Sequence, residues 1–266
     1  MCALILGLIG VSRAFTLSPT LTNFKRGSSI SQSALRTLEP LTEFDLALGA
    51  RILKVGEKGL KTTKLGLCTG LADVLAMQAL RNGAKRDRLD NNTFKLLSFG
   101  FMIDSTLSLL TQAPLLANAD AYLSIPQVVK LLGEILVAQV SFSVVQSKGL
   151  PDLARAKLHI SNPLTILYLV AVVETGALAI KRIGSPIMPF VFLALNGAAA
   201  SGDHRLSHQT YRTLNLTAVM YALQAGLWLL RGSTAVGAYL MLRKIGIAAA
   251  LTGALWGLFR GVTYKG

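Results

Sequence analysis

The chain has 266 residues, of which 52% are hydrophobic and only 15% are charged. Soluble domains usually carry about 25% charged residues and disordered basic tails are poor in apolar ones, so this composition argues against both classes. Lys and Arg number 27 against 13 Asp and Glu, giving a formal net charge of +14. The sequence predicts an integral membrane protein with basic edges. Without a nucleic-acid-binding motif, the basic charge indicates no nucleic acid partner.

The N-terminal 38 residues have the composition of targeting segments. Residues 3–11 form an apolar run that is too short to span a bilayer but is typical of a signal peptide. Ser12 and Ala14 fit the small-x-small cleavage rule, which predicts a signal peptide over residues 1–14. Residues 15–38 are rich in Ser and Thr, basic and free of acids, as transit peptides are.

The boundary between these two segments carries a motif. Ser12-Arg13-Ala14-Phe15, with Pro19 close behind, resembles the Phe-centred cleavage motif of the bipartite plastid presequences in algae with secondary red plastids, such as diatoms. The resemblance covers residues 1–38 and implies import into a plastid, with the thylakoid or inner envelope as the final membrane. The alternative is an ordinary signal for the secretory or endomembrane pathway.

Residues 39–97 are predicted to form a basic amphipathic region at the membrane surface. Its first helix carries an imperfect apolar face that includes Leu46, Ile52 and Leu53, and Lys and Arg occupy most of the remainder. Such a helix can lie on an anionic membrane surface, and a solvated basic linker is the alternative. Residues 65–80 are apolar but marginal in length, which favours a helix that packs on the membrane or dips into it.

Residues 98–262 are predicted to form a bundle of about six transmembrane helices, so the fold class is all-α and polytopic. The apolar runs are continuous rather than alternating, which indicates helices and not barrel strands. A six-span count also places most Lys and Arg of the connecting segments on one side, in agreement with the positive-inside rule. The predicted spans are 98–117, 127–146, 162–180, 186–200, 214–230 and 234–260.

Three acids fall within these predicted spans, at Asp104, Glu134 and Glu174. Charged groups at bilayer depth are costly and are therefore candidates for function. Lys130 and Glu134 are spaced i,i+4, so they can pair along one helix face, either as part of a proton or cation path or as a pair that fixes packing. The packing role is the favoured interpretation.

Neutral polar residues also occur in the predicted spans, namely Asn196, Asn215 and Gln224. Hydrogen bonding between helices is their expected role.

The loop over residues 201–213 groups several possible ligands. His204 and His208 are spaced i,i+4, as in helical metal sites, but Arg205 stands where a zinc protease would carry Glu. No metal, cofactor or catalytic residue is therefore predicted, and pigment or metal ligation with Asp203 is a minor alternative. Arg205, His208 and Arg212 could instead bind an anion or a lipid phosphate. A polar hinge is the default interpretation.

The last predicted span carries small residues at four-residue spacing, at Ala249, Gly253, Gly257 and Gly261. This pattern lets helix backbones approach closely. It predicts tight packing within the bundle, with other membrane proteins or with a second copy of the chain.

Together these features predict a non-catalytic plastid membrane protein of structural, assembly or accessory-subunit type, with the lipid bilayer and other membrane proteins as partners. The alternative is a small transporter or channel that uses Lys130, Glu134 and Glu174. A weaker alternative is a membrane enzyme acting on lipid or isoprenoid, with Asp203, His204 and His208 at the surface.

Overall fold

A computed structural model describes eight helices. The described residues are 43–61, 64–86, 91–117, 124–151, 162–181, 184–200, 208–232 and 238–263. Within them no strand occurs, which confirms the predicted all-α class. The predicted signal and transit segments lie outside the described residues. The helices are α1 (Glu43–Lys61), α2 (Lys64–Arg86), α3 (Asn91–Ala117), α4 (Ile125–Lys148), α5 (Pro163–Ile180), α6 (Met188–Ala200), α7 (His208–Gly232) and α8 (Ala238–Thr263).

Local sequence signals set several helix ends. The Asn162 side chain accepts a hydrogen bond from the Thr165 backbone N–H at 3.0 Å, and Pro163 occupies the first position of α5. Both features favour a helix start, because they satisfy or avoid a free backbone donor. At the end of α4, Gly149 adopts a φ of +82°, a conformation that side chains with a Cβ rarely adopt.

The helices pack into one compact unit over Glu43–Gly266. Helix α2 packs against α1 and α7, and α4 packs against both α1 and α3. Helix α5 contacts α6 and α8, and α8 also lies along α7. Residues of α2 contribute to the core as fully as those of the apolar helices, with Ala76, Met77 and Leu80 completely buried. Helices α1 and α2 are thus integral to the packed unit.

Among the described residues, four helices are long and apolar enough to cross a membrane, which corrects the six predicted spans. They are Asn92–Pro114, Gln127–Lys148, Pro163–Ile180 and Leu240–Arg260. The described part of the chain is therefore compatible with a multi-pass membrane protein, but one with fewer spans than the apolar runs indicated.

The two predicted spans that are not among the four differ from them for separate reasons. Within the predicted span 186–200, Met188–Ala200 form the 13-residue helix α6, which is about 20 Å long and too short for a bilayer core of about 30 Å. Residues 214–230 belong to α7, and the described part of this span includes Asn215, Thr217 and Gln224. These polar side chains lower its mean hydropathy.

The four apolar helices present large hydrophobic side chains outward. Leu132 of α4, Val173 of α5 and Phe259 of α8 are 59%, 67% and 70% exposed. Exposed apolar surface on this scale is unusual for a soluble monomer and is the normal state of a helix that faces lipid.

Candidate functional site

Four charged side chains from three helices meet inside the helical unit. Arg51 and Lys54 come from α1, Asp104 comes from α3 and Glu134 comes from α4. The side chains of Arg51 and Glu134 are each only 2% exposed. These four residues are called the buried charge cluster below. Burial of this kind is costly unless the charges are paired, so their geometry determines whether the arrangement is stable.

The pairing within the buried charge cluster is complementary. Arg51 Nη2 lies 2.9 Å from Asp104 Oδ2 and 3.4 Å from Glu134 Oε2. Lys54 Nζ forms an ion pair with Glu134 Oε1. Arg51 Nη2 also donates a hydrogen bond to Ser105 Oγ at 3.2 Å. Two cations therefore face two carboxylates, and the cluster is formally neutral.

A close approach of two helices makes these contacts possible. A Cβ atom at Gly133 would lie 3.0 Å from Ala50 Cβ, so α1 and α4 are in direct contact at this point. Ala50 precedes Arg51 and Gly133 precedes Glu134 in the sequence. The absence of a side chain at Gly133 thus lets the Arg51 guanidinium reach the Glu134 carboxylate.

Other groups complete the surroundings of Arg51. Its guanidinium carbon lies 5.5 Å from the centroid of the Phe101 ring, within the range of a cation–π interaction. Asp73 of α2 contributes further negative potential at Arg51. Asp73 also accepts a hydrogen bond from the Ser185 hydroxyl at 3.3 Å, which links α2 to the segment before α6.

Some polar atoms near this cluster lack hydrogen-bond partners among the described residues. They include Arg51 Nε and Nη1, and the hydroxyl oxygens of Ser98 and Ser141. Ser98 lies two turns before Ser105 on α3, and Ser141 lies two turns after Glu134 on α4. The polar face of these two helices therefore extends beyond the ion pairs themselves.

The predicted pairing of Glu134 with Lys130 is replaced in the structure by pairing with α1. Glu134 contacts Arg51 and Lys54, and Lys130 is a half-buried residue one turn earlier on α4. Because α1 packs across Gly133, its two cations reach the carboxylate from the neighbouring helix. Both acids of the cluster stand out in the sequence as charges within apolar runs, whereas neither of its cations does.

Glu174 of α5 is a half-buried acid whose carboxylate oxygens form a second buried polar position. Neither of its carboxylate oxygens has a hydrogen-bond partner among the described residues. Arg243 of α8 is the nearby charge that acts on it. Gly246 gives Glu174 its space, since a Cβ there would lie 2.5 Å from Glu174 Cγ.

Two of the neutral polar residues, Asn196 and Asn215, form hydrogen bonds between helices. Asn196 of α6 donates to the backbone carbonyl of Thr165 on α5 at 2.8 Å. Asn215 of α7 accepts a hydrogen bond from the Tyr168 hydroxyl at 2.5 Å, and its amide donates to the Tyr211 carbonyl at 2.9 Å. Gln224 is half-buried on α7.

The small residues of α8 pack inside the unit. A Cβ at Gly253 would lie 3.2 Å from Leu167 Cβ, and one at Gly257 would collide with the Tyr168 hydroxyl and the Asn215 amide oxygen. Ala249 is buried as well. The side of α8 that carries this stripe is therefore occupied by α5 and α7. Gly261 lies within α8, and its surroundings are outside the described part of the structure.

The predicted ligand loop lies mostly outside the described residues. Asp203, His204 and Arg205 belong to residues 201–207, and His208 begins α7 without a described side chain. Arg212 is exposed on α7. In the parts of the chain that are described, no group of three or more His, Cys, Asp or Glu residues is placed to hold a metal ion. The loop therefore stays a prediction.

No family model, curated protein or solved structure matches this chain. The features of the chain that bear on its function are the buried polar groups and the apolar surface around them. The buried charge cluster is the feature that combines the lowest exposure with the most specific contacts, and it is the candidate functional site.

Proposed function

We propose that this protein is an integral membrane protein of a plastid, in the thylakoid or inner envelope, with a structural, assembly or accessory role. The observation that carries the proposal is the mutual neutralisation of Arg51, Lys54, Asp104 and Glu134 across three helices. Each carboxylate is occupied by a cation of another helix, an arrangement suited to fixing helices in register. A path for ions would instead need carboxylates that can exchange partners.

The plastid part of the proposal rests on the N-terminal pattern around Ala14 and Phe15. A fluorescent fusion at Gly266, expressed in a diatom, tests it together with the variant Phe15→Ala. We expect the fusion to reach a plastid membrane and the variant to stop outside the inner plastid membranes. Delivery of both forms to the endomembrane system would support the secretory alternative instead.

The accessory-subunit role is tested by the size of the native protein. A tag at Gly266, extraction in mild detergent and size fractionation report whether the chain travels with other proteins. We expect a large complex that contains other plastid membrane proteins. Migration as a small species without partners would contradict the accessory role.

A transporter or channel is the second candidate, and Glu174 is the observation that favours it. This carboxylate is buried without hydrogen-bond partners among the described residues, and Arg243 of α8 acts on it electrostatically. A group held in this way is more available to bind and release an ion or proton than Glu134. In reconstituted vesicles, E174Q should abolish ion flux if the protein is a transporter, whereas a packing role predicts no flux in either form.

The weaker enzymatic alternative depends on the loop over residues 201–208. Replacing His204 and His208 with Ala tests it, because an enzyme acting on lipid or isoprenoid would lose turnover while its assembly persisted. A structural role predicts that neither substitution changes the composition of the native complex.

A further inference from the structure

Helix α1 carries a buried cation on its inward side and large apolar residues on its outward side. The side that faces the neighbouring helices carries Arg51, which is 2% exposed, whereas the outward side carries Leu46, Ile52 and Leu53. These three residues are 47%, 52% and 61% exposed. A helix at a water-exposed surface buries its apolar residues and exposes its charges. Helix α1 buries Ala47 and packs Phe44 and Leu48 against the core, but it also buries Arg51 and presents large apolar side chains outward. This outward apolar face is the pattern of a helix that is surrounded by hydrocarbon.

The described charges on α1 that face or border the unit are paired with other helices. Arg51 and Lys54 meet the carboxylates of Asp104 and Glu134, and Asp45 forms an ion pair with Arg81 of α2. Pairing of this kind is what permits ionisable groups within a membrane, because each charge is compensated without water. Because these charges are paired, the folded helix α1 is less polar than the low mean hydropathy of its sequence indicates.

The contacts of α1 lie at bilayer depth. Asp104 is near the middle of the apolar segment Asn92–Pro114, and Glu134 is about two turns inside Gln127–Lys148. Arg51, which contacts both, is near the middle of α1 itself. With 19 residues, α1 is about 28 Å long, comparable to a hydrocarbon core of about 30 Å.

The outward face of α1 also adjoins apolar surface on α4. The two helices touch where Ala50 meets Gly133, and the next residue before Gly133 is the exposed Leu132. Outward residues on both helices are thus apolar at the level where the helices are in contact. The outward surfaces of α1 and α4 are therefore expected to contact the same surrounding medium, either water or lipid.

We infer that α1 is embedded in the hydrocarbon layer beside α4, with Leu46, Ile52 and Leu53 against lipid acyl chains. Its cations are carried into the membrane by pairing with Asp104 and Glu134. The inference rests on the membrane location proposed above, and it replaces the expectation that this helix lies on the membrane surface.

Cysteine labelling of the full-length protein tests the inference. Single cysteines are placed at Leu53, Leu132 and Leu150 in a background with Cys2→Ser and Cys68→Ser. The purified protein is reconstituted in phosphatidylcholine vesicles that are opened by freeze–thaw, so both aqueous faces meet a membrane-impermeant maleimide. Leu150 is 67% exposed and follows the end of α4, and it reports the reactivity of a thiol in contact with water.

We expect L53C and L132C to react at similar rates, both at least about tenfold more slowly than L150C, because a thiol in hydrocarbon does not form the reactive thiolate. Rapid labelling of L53C with slow labelling of L132C would overturn the inference and leave the membrane location intact. Rapid labelling of L132C would contradict the membrane location itself. Protection of L53C that disappears on dilution with lipid would also overturn the inference, since a second copy would then be the covering surface.

A second experiment tests whether the carboxylates of Asp104 and Glu134 hold α1 in the hydrocarbon layer. D104N combined with E134Q should raise the labelling rate of L53C towards that of L150C, while L132C stays protected. Thr106→Val, at an exposed position on α3, is the matched control and should leave both rates unchanged. Unchanged labelling of L53C in the double variant would overturn the claim that these carboxylates hold α1 in the membrane.

Discussion

Two junctions in this molecule join helices by different physical means. At the first, α1 meets α3 and α4 through the buried charge cluster, whose contacts are ion pairs between helices. At the second, α8 meets α5 and α7 where Gly253 and Gly257 leave room for Tyr168 and Asn215. The first depends on charge balance and the second on the absence of side chains.

The difference determines which substitutions each junction tolerates. The buried charge cluster should tolerate the removal of its charges together but not singly, since one unpaired charge is left desolvated. The glycine junction should tolerate the loss of a polar group but not the addition of bulk, because the space above Gly257 is already filled. The following predictions test this contrast, from the largest expected effect to the smallest.

Removal of Arg51 should have the largest effect. The variant R51M leaves Asp104 without the ion pair that it forms with Arg51 and removes one of the two cations beside Glu134. Loss of one partner from a buried ion pair typically costs about 3–5 kcal/mol of unfolding free energy. The measurement is reversible unfolding of the purified protein in mixed micelles, with R212M at an exposed position of α7 as the control. A loss below about 1 kcal/mol would contradict the assigned role.

Bulk at Gly257 should have the next largest effect. G257V would force apart Tyr168 and Asn215, and overpacking of this kind costs about 1–3 kcal/mol. Gly176 provides a matched control, because a Cβ there meets no atom within 4 Å. Unfolding measurements should therefore find G176A close to the wild type. Equal stability of G257V and G176A would show that the junction is looser than its geometry indicates.

A smaller change is expected at the contact between α1 and α4. G133A places a Cβ 3.0 Å from that of Ala50, so the helices must separate by a few tenths of an ångström. We expect a loss of about 1 kcal/mol, near the low end of overpacking costs. G197A, on α6 with no atom within 4 Å of the added Cβ, serves as the control in the same unfolding assay. A stabilised G133A would argue against the close contact.

The smallest effect is expected from Y168F. It removes the hydroxyl that bonds Asn215 but keeps the ring, and hydrogen bonds between membrane helices contribute about 0.6 kcal/mol on average. The same assay should detect a loss of this order. A loss as large as that of R51M would remove the distinction between the two junctions.

The acids of the buried charge cluster and the small residues of α8 can be recognised from the sequence, but their partners cannot. Asp104 and Glu134 stand out because acids are rare in apolar runs, and the glycine spacing of α8 is visible directly. In the structure, these residues contact side chains of other helices. The i,i+4 spacing indicates Lys130 as the partner of Glu134, because sequence spacing reveals neighbours only within one helix.

The cations of the cluster were missed because they lie on a helix of low hydropathy. Arg51 and Lys54 look like part of a basic surface when α1 is considered alone. A usable signal was present in the apolar residues Leu46, Ile52 and Leu53, which form a face opposite to these cations. The number of spans is smaller than predicted for a different reason. The predicted span 186–200 has only 15 residues, 13 of which form α6, and this length is too short for a bilayer core.

The most direct test of the account is the coupling between Arg51 and Asp104. Unfolding free energies are measured for the wild type, R51M, D104N and the double variant R51M/D104N, in which Lys54 and Glu134 keep their ion pair. We expect the double variant to be more stable than R51M alone, with a coupling energy of at least about 2 kcal/mol, because the Asp104 charge is removed together with its partner. Additive losses, with a coupling energy near zero, would contradict the claim that these charges hold α1 to the membrane helices.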